Sequence, residues 1–552
     1  MPVTSGAETA DFLQNFLFMD YDVIVIGSGF GGAITACRLA EAGYRVLILE
    51  RGRRWGSTAV PGKTTAYPRL PGDPWIWNHC NPHRDNGWID LRIFPNMSVV
   101  QGAGVGGGSL IYANISCEAP PSSFEGGWPG EITYPEMKPY YDTVAKFMNV
   151  QKIPDNQWTE RMKLVKLAAD KGGYTARFKA LELAVSFDPA WTYGDPDPHN
   201  PAKSKRFVNA QGVEQGTCVH LGNCVVGCDV DARNTLDKNY IPWAEKHGAK
   251  VAPLQLVTDI APIAGGYRVS SDDLQSGERR PGSQTARIVI VAAGSLGSTE
   301  LLLRCRKLTR SLPGISDNLG HNWSSNGDFL TPALYANRLI SPTKGPTISS
   351  AIDFLDRSED GQSFWIQDGG APHLLANYLL KKIGNPPKRL SAKLLVEAIR
   401  PLLRNADPFK NVMPWFAQAV DAADGRLDLK RPWWFFGSRR LHLKWDVSRS
   451  VAAIEAVVKM HKHLSGLTGG LPLVPVTWTV AHDLITPHPL GGCGMGDTIE
   501  NGVVNHAGEV FGYKNLYVAD AAIIPRALGV NPSRTIGALA ERIAKIIQTE
   551  GR

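Results

Sequence analysis

The chain has 552 residues, of which 43% are hydrophobic and 20% charged, and its formal net charge is +7. This composition is typical of a folded globular protein and excludes disordered and fibrous classes. No run of about 18 uncharged apolar residues occurs, so no transmembrane helix is expected. Met1–Asp20 lacks the basic start of a secretion signal, and eight cysteines are too few for a disulfide scaffold. We therefore expect a cytoplasmic protein, present as a monomer or a small homo-oligomer.

The first elements in chain order predict a dinucleotide site. Tyr21–Ile26 is a continuous apolar run, the glycine-rich turn 27–32 follows it, and a helical stretch leads to a second strand that ends at Glu50. In such a unit the glycines allow a tight turn, backbone approach to a pyrophosphate and close helix packing, and the acidic residue binds ribose hydroxyls. The predicted cofactor-binding residues here are Gly27, Gly29, Phe30, Gly31, Gly32 and Glu50.

A second glycine-rich loop, 101–110, is followed by Asn114. Glycine allows the backbone to pass very close to a flat or anionic ligand, although a flexible turn would have the same composition. We assign cofactor binding to Gly104, Gly106, Gly107, Gly108 and Asn114.

Three cysteines, Cys218, Cys224 and Cys228, lie within eleven residues. Thiols often pack as small hydrophobic groups beside glycine, and this structural role is favoured because the ligand pattern is incomplete. Iron–sulfur ligation and zinc binding with a fourth ligand such as His220 stay open as alternatives.

The positive charge is concentrated in residues 380–410, which hold eight basic and two acidic side chains. No zinc-finger, basic-zipper or RNP pattern accompanies them, which argues against a nucleic-acid partner. Apolar residues recur there at helical spacing, which favours a core-facing helix with a solvated charged face. A peripheral contact with a membrane surface is the alternative.

Several motifs in the second half of the chain carry a family resemblance. They are the strand-like run 288–295, His488-Pro-Leu-Gly-Gly-Cys493, Asn515-Leu-Tyr-Val-Ala-Asp520 and Val530-Asn-Pro-Ser533. Together with the N-terminal dinucleotide unit, they resemble the glucose–methanol–choline (GMC) family of FAD oxidoreductases, and their wording is most similar to its cholesterol-oxidase branch.

The resemblance implies an α/β protein with two interleaved domains. A discontinuous Rossmann-type FAD domain would comprise residues 20–130, 205–330 and 485–552. Residues 131–204 and 331–484 would form a substrate domain with an antiparallel sheet and helices. The cofactor would be FAD, and the resemblance adds further residues to its binding site: Val257, Gly294, Asp520, Ala521, Asn531 and Pro532.

The resemblance also implies oxidation of an alcohol to a carbonyl compound with hydride transfer to flavin N5. His488 would act as the base and Asn531 would orient the substrate oxygen. The many aromatic residues, including Trp433–Phe436, favour a bulky apolar alcohol of the sterol or aryl kind. The electron acceptor would be oxygen, a quinone or a partner protein.

Two points are left open by the sequence. Cholesterol oxidases also use a carboxylate in the substrate domain, and Asp368 is a candidate for it, although a solvated turn aspartate is the preferred interpretation. The alternatives to an alcohol oxidase are a dehydrogenase that passes electrons through an iron–sulfur cluster at the three cysteines, and a lyase or decarboxylase with the same fold.

Overall fold

The computed structural model describes residues 19–68, 75–374, 409–431 and 439–550. Its α-helices are, in chain order, α1 (Phe30–Glu41), α2 (Tyr134–Phe147), α3 (Glu160–Lys171), α4 (Tyr240–Lys246), α5 (Gly294–Lys307), α6 (Val451–Thr468), α7 (Val476–Ala481) and α8 (Ser533–Glu550).

The strands of three or more residues are, in chain order, β1 (Tyr21–Ile26), β2 (Val46–Glu50), β3 (Ile89–Phe94), β4 (Met97–Gly102), β5 (Phe178–Ala180), β6 (Lys250–Pro253), β7 (Gln255–Ile263), β8 (Gly266–Asp273), β9 (Arg280–Val291), β10 (Phe329–Leu334), β11 (Ser350–Glu359), β12 (Gln362–Asp368), β13 (Val412–Ala419), β14 (Arg426–Lys430), β15 (Arg440–Lys444), β16 (Leu484–Thr486) and β17 (Leu516–Val518).

The first sheet has a parallel centre. Its order is β6-β2-β1-β9-β8-β7, and β17 pairs with β9 as well. β1 lies in parallel between β2 and β9, and the last four residues of β1 and all of β2 are buried. Continuous apolar strands of this kind are typical of a sheet that is covered on both faces. β7, β8 and the first half of β9 extend the sheet as an antiparallel meander.

The two ends of the chain meet at this sheet. β17 pairs with β9, and α8 packs along α1. Arg38 on α1 donates from Nε to the Glu541 carboxylate on α8 at 2.7 Å. The C-terminal segment is therefore part of the same layer as the N-terminal β1–α1–β2 unit.

The second sheet is antiparallel and has six strands. The short strand Leu471–Pro472 pairs with β10, and the order continues through β13, β12, β11 and β5. Helices α3 and α6 cover one face of it. Thr331 on β10 contacts His461 on α6 at 2.9 Å, and Asp368 on β12 accepts from Arg161 on α3 at 3.2 Å. The opposite face bears alternate residues of the same strands.

These observations confirm the predicted fold class, a parallel nucleotide-binding sheet combined with an antiparallel sheet and helices. The strands of the first sheet lie inside the predicted FAD-domain segments. Those of the second lie in the predicted substrate-domain segments, except that β10 begins two residues earlier, at Phe329. The limits of the domains stay a prediction.

No helix among the described residues is long and apolar enough to cross a membrane. Most of the basic segment 380–410, predicted as a charged helix or a membrane contact, lies outside the described residues. The aromatic run Trp433–Phe436 lies outside them as well.

Candidate active site

The turn after β1 has the geometry of a dinucleotide site. Gly27 has a φ of +96°, which favours glycine, and a Cβ there would overlap the backbone of Ala292 on the neighbouring strand segment. A Cβ at Gly31 would overlap the carbonyl oxygen of Ala519, and one at Gly32 that of Gly27. Gly29 caps α1 without any side-chain hydrogen bond. The N-terminal N–H groups of α1 are therefore available to an anion such as a pyrophosphate.

Glu50 lies at the end of β2, as predicted for the ribose-binding acid. Its side chain is buried, and it accepts from the N–H and the hydroxyl of Ser28 at 3.1 and 2.7 Å and from the N–H of Gly52 at 2.9 Å. Val257 lies on β7, where the pairing register shifts, three residues after Leu254, whose N–H donates to Gly52. The chain segment that leads to Val257 therefore contacts the residues that directly follow Glu50.

The second glycine-rich loop packs against the N-terminus of α1. A Cβ at Gly107 would overlap Gly29, whereas a Cβ at Gly108 would meet no atom of the described residues within 4 Å. Gly104 instead makes room for the ring of Trp55, and Gly106 has a φ of +110°. The ring of Phe30, the first residue of α1, packs on that of Tyr112 after the loop, at 5.7 Å between centroids.

Asp520 follows β17 and accepts three hydrogen bonds, two from the first residues of α5 and one from its own turn. The donors are the N–H of Gly294 at 2.8 Å, the hydroxyl of Ser298 and the N–H of Ala522 at 2.7 Å. Burial raises the pKa of the Asp520 carboxyl, and these three donors oppose the shift. The carbonyl oxygen of Ala521 accepts from the N–H of Gly491, so this segment lies directly behind the His488 loop.

His488 forms a dyad with Asp328, which sequence reasoning did not identify. Nδ1 of His488 lies 2.8 and 3.0 Å from the two carboxylate oxygens of Asp328, whose side chain is fully buried. Thr486 supplies a hydroxyl 2.5 Å from the same carboxylate and accepts the N–H of His488 at 2.8 Å. Because Asp328 holds Nδ1, the other ring nitrogen, Nε2, is left for chemistry.

Asn531 faces that second nitrogen. Its Nδ2 lies 3.4 Å from Nε2 of His488, and its Oδ1 accepts from the amide of Gln367 on β12 at 2.9 Å. Pro532 follows and accepts the N–H of Ile536 in the first turn of α8. The structure therefore brings His488 and Asn531 together, as expected, and adds Gln367 from the second sheet.

Two buried side chains hold the loop that carries Asp328. Asn326 donates to the carbonyl oxygen of Val530 at 2.8 Å and accepts the N–H groups of Leu528 and Gly529. Asp421 accepts from Ser325 through both its N–H and its hydroxyl at 2.8 Å. The Asp328 loop is thus fixed to the segment that carries Asn531.

The open face of the second sheet borders the dyad. Phe416 on β13 has its ring centroid 6.5 Å from that of His488, and it pairs in register with Leu330 on β10 and Gln367 on β12. The next pair on this face is Pro332 with Pro414. Side chains of paired residues share a face, so this face combines the apolar side chains beside His488 with two buried amides, those of Gln367 and Gln418. We call Leu330, Pro332, Pro414 and Phe416 the apolar wall.

Asp368 is not the solvated turn residue that we preferred. Its side chain is fully buried at the end of β12, where it pairs with Arg161 and accepts from the backbone and the hydroxyls of Ser349 and Ser350. The prediction of a solvated turn is wrong because the ladder with β13 continues to Asp368. Its side chain lies on the helix-covered face, opposite to that of Gln367.

The three clustered cysteines line a cavity of about 20 Å³. Cys218 accepts the N–H of His220, and Cys228 accepts that of Ala232. Burial raises the pKa of Cys228 to about 11 and that of Cys218 well above its usual range. Within the described ranges, which include all three thiols, no group of three or more His, Cys, Asp or Glu side chains is arranged to hold a metal ion. The structural role stays our prediction for them.

Comparison with known proteins identifies the class. Residues 435–540 match the family model of GMC oxidoreductases, and residues 22–70 match that of FAD-dependent oxidoreductases. The chain is 33% identical to a cholesterol oxidase of Acinetobacter baumannii, over 96% of this chain and 94% of that protein. It is 31% identical to a cholesterol oxidase of Mycobacterium tuberculosis, over 96% and 92%. The chain belongs to the GMC oxidoreductase family.

Solved structures agree with the fold. A pyridoxine 4-oxidase from Mesorbium loti superposes with a TM-score of 0.61 at 16% identity, covering 95% of this chain and 98% of that one. A fungal aryl-alcohol oxidase superposes with a TM-score of 0.60 at 16% identity, covering 97% and 100%.

The protein is thus an FAD-dependent oxidoreductase that acts on CH–OH groups, with a small-molecule substrate and an electron acceptor. Its residues fit the cofactor. The N-terminus of α1 has no side-chain cap, the Cβ direction of Gly108 is open, and the buried amide nitrogen of Asn114 has no hydrogen-bond partner among the described residues. A bound dinucleotide would supply the missing acceptors.

Proposed function

We propose that the protein oxidises a bulky apolar alcohol to the corresponding carbonyl compound, with His488 as the base. The observation that carries the proposal is the His488–Asp328 dyad, because it leaves Nε2 of His488 beside Asn531. When bound, FAD accepts the hydride from the carbinol carbon.

His488 takes the hydroxyl proton at Nε2. The neutral ring carries its proton on Nδ1, and this N–H donates a hydrogen bond to Asp328. Nε2 therefore has the free lone pair that a base requires. After proton transfer the ring is cationic, and the buried Asp328 carboxylate stabilises that charge. The pair of prolines that flank His488 limits its backbone freedom and keeps the ring in register.

Asn531 orients the substrate oxygen. Gln367 donates to Oδ1 of Asn531 and thereby fixes which end of the amide faces His488. The Nδ2 group is then the end that donates to the substrate oxygen. An amide does not titrate in the physiological range, so the base chemistry rests on one histidine.

The apolar wall supports the substrate class. Leu330 and Phe416 form a register pair on the face that borders His488, and Pro332 and Pro414 form the next pair on that face. Burying an apolar ring system against such a wall is favourable in proportion to the area removed from water, whereas a sugar would lose hydration without polar partners there. The relatives named cholesterol oxidase agree with a sterol-like alcohol.

The experiment is a visible spectrum of the purified protein followed by anaerobic titration with steroid, aryl and sugar alcohols. The proposal predicts a flavin spectrum that is bleached by a steroid or aryl alcohol at concentrations at which sugar alcohols have no effect. Bleaching by sugar alcohols alone would refute the substrate class, and no bleaching by any alcohol would favour a lyase or decarboxylase. Admission of oxygen to the reduced protein then separates an oxidase from a dehydrogenase that uses a quinone or protein acceptor.

A further inference from the structure

Arg233 is a buried cation whose side-chain hydrogen bonds, among the described residues, all go to the loop between Ser109 and Asn114. The residue is 4% exposed. Its guanidinium donates to carbonyl oxygens of that loop, those of Ser109, Leu110 and Tyr112. Its Nε donates to Oδ1 of Asn114 at 2.8 Å. One side chain therefore fixes both the backbone of this loop and the amide of Asn114.

The amide of Asn114 is held in one orientation with one end unused. Its Oδ1 faces Arg233, so its Nδ2 is directed away from the guanidinium, and that buried nitrogen has no partner among the described residues. The backbone of Asn114 is fixed too, with a φ of +67° and a carbonyl oxygen that accepts the N–H of Ala184. A fully buried N–H group without an acceptor is costly, and such groups usually mark a place where a ligand or water supplies the acceptor.

The neighbours of Asn114 in the fold indicate that this ligand is the bound cofactor. Before it, the loop touches Gly29 at the N-terminus of α1 through Gly107. After it, Ile115 accepts from Ser533, and Cys117 lies 3.6 Å from the carbonyl oxygen of Asn531. Asn114 therefore lies on a continuous segment that runs from the pyrophosphate end of the FAD site to the reacting end.

We propose that Arg233 is a positioning residue for FAD, which acts by turning the N–H group of Asn114 toward the bound cofactor. Without Arg233 the amide has two orientations, and its buried oxygen loses a charge-assisted donor. Cofactor binding then has to fix the amide as well as form the new bond, so affinity falls. The inference rests on FAD being the cofactor of the proposed oxidation, and it does not require His488 to be the base.

The test is the affinity of the full-length protein for FAD, measured by equilibrium dialysis of the FAD-loaded protein. The position of the flavin absorption band is a second readout. Arg233→Met is expected to weaken FAD binding by about tenfold to a hundredfold, the range for loss of a hydrogen bond from a charged donor. Asn114→Ala is expected to give a similar loss and a shifted flavin band. Because both residues act through one amide, the double variant should bind FAD about as weakly as Asn114→Ala alone.

Arg542→Lys serves as the control, because Arg542 is a buried arginine on α8 that donates to the carbonyl oxygen of His506 and leaves the loop before Asn114 untouched. If Arg233→Met does not fold, Arg233→Lys replaces it, since a lysine keeps the charge but cannot span Asn114 and the carbonyl oxygens together. Additive losses in the double variant, or unchanged affinity and spectrum in the Arg233 variant, would overturn the inference. A wild type that holds FAD but is reduced by no alcohol would refute the proposed oxidation and leave this inference intact.

Discussion

Asp328 determines which nitrogen of His488 faces the substrate. Its carboxylate accepts from Nδ1, and the hydroxyl of Thr486 lies against the same carboxylate. An asparagine at position 328 has the same shape but presents an N–H₂ group or a neutral carbonyl oxygen, so it stabilises neither the tautomer nor the cationic ring as well.

We predict that Asp328→Asn slows flavin reduction by the alcohol about 10²–10⁴-fold, the range of a positioned proton-transfer group. Anaerobic stopped-flow absorbance measures this rate. Asp317→Asn is a matched control, because the Asp317 side chain is 96% exposed and its ion pair is with Arg306, which is not a site residue. A loss smaller than about threefold in Asp328→Asn would show that the dyad does not tune the base.

The residues of the site differ in how far the sequence revealed them. His488 and Asn531 lie in motifs whose order and spacing are distinctive. Asp328 and Gln367 lie outside the motifs that carry the resemblance, and only the folded chain brings them to His488 and Asn531. The sequence contained one indication of the orientation of Gln367. Gln367 and Asp368 are neighbours at the end of a strand, so their side chains must point to opposite faces of the sheet. Arg233 lies five residues after Cys228, but no spacing rule connects it to Asn114.

In the loop from Gly102 to Asn114, some glycines allow close packing against the N-terminus of α1, and others are expected to contact the cofactor. A Cβ at Gly107 would collide with the turn before α1, whereas one at Gly108 would point into space that no atom of the described residues fills within 4 Å. We predict that Gly108→Ala folds with a melting temperature within a few degrees of wild type but binds FAD at least about tenfold more weakly. Differential scanning fluorimetry and FAD dialysis measure the two quantities.

Gly130→Ala is the control for that prediction, because a Cβ at Gly130 also meets nothing within 4 Å and the residue lies outside the glycine-rich loop. If Gly108→Ala retained FAD as tightly as the control, the cofactor would not pass over this glycine.

Helix α6 carries a histidine that links stability to pH. Burial lowers the pKa of His461 to about 3, while an unfolded histidine titrates near about 6.5. Between these values the unfolded chain binds more protons than the folded one, so the unfolding free energy falls as pH falls through this window. This contribution is complete above about pH 6.5. Burial lowers the pKa of His220 to about 3 as well, which adds a contribution of the same sign.

We predict that His461→Gln reduces the loss of stability between pH 7 and pH 4 compared with wild type, because the titrating group is removed while a hydrogen bond to Thr331 stays available. Urea unfolding at a series of pH values measures this. Acid-sensitive carboxylates contribute equally to the unfolding free energy of both proteins, so their contribution cancels when the variant is compared with wild type. Parallel curves for the two proteins would contradict the burial of a neutral histidine.

The sequence predicted the elements of the first sheet better than those of the second. The continuous apolar runs of β1 and β2 predict strands with covered faces, and glycine fixes the turn between β1 and α1. Strands β10, β12 and β13 mix proline, glutamine and tryptophan, because one face packs on α3 and α6 while the other lines the site. Their pattern becomes interpretable only when the pairing is known.

The candidate active site combines segments from separate parts of the molecule. The first sheet and α1 carry most of the predicted FAD residues, and β16, which pairs with β4 outside the two large sheets, leads to His488. Asn531 lies just before α8, and the second sheet supplies the apolar wall and Gln367. This arrangement predicts that cofactor affinity and substrate preference change independently. The cytoplasmic location, the oligomeric state and the membrane contact of residues 380–410 stay predictions.

We predict that Leu330→Glu raises KM for a steroid or aryl alcohol at least about tenfold with little change in FAD affinity. Leu330 is 40% exposed and pairs with Phe416, so a glutamate there is tolerated by the fold but places a charge on the apolar wall. Steady-state kinetics with two alcohols of different polarity measure the effect. Leu308→Glu is the control, since Leu308 is 37% exposed at the end of α5. An unchanged KM would mean that the substrate does not reach this wall.

Rapid anaerobic mixing of the FAD-loaded His488→Asn variant with an alcohol that reduces the wild type tests whether His488 removes the hydroxyl proton during alcohol oxidation. We predict full FAD content and flavin reduction about 10²–10⁴-fold slower than in wild type at neutral pH. Flavin reduction within a few-fold of the wild-type rate would contradict it.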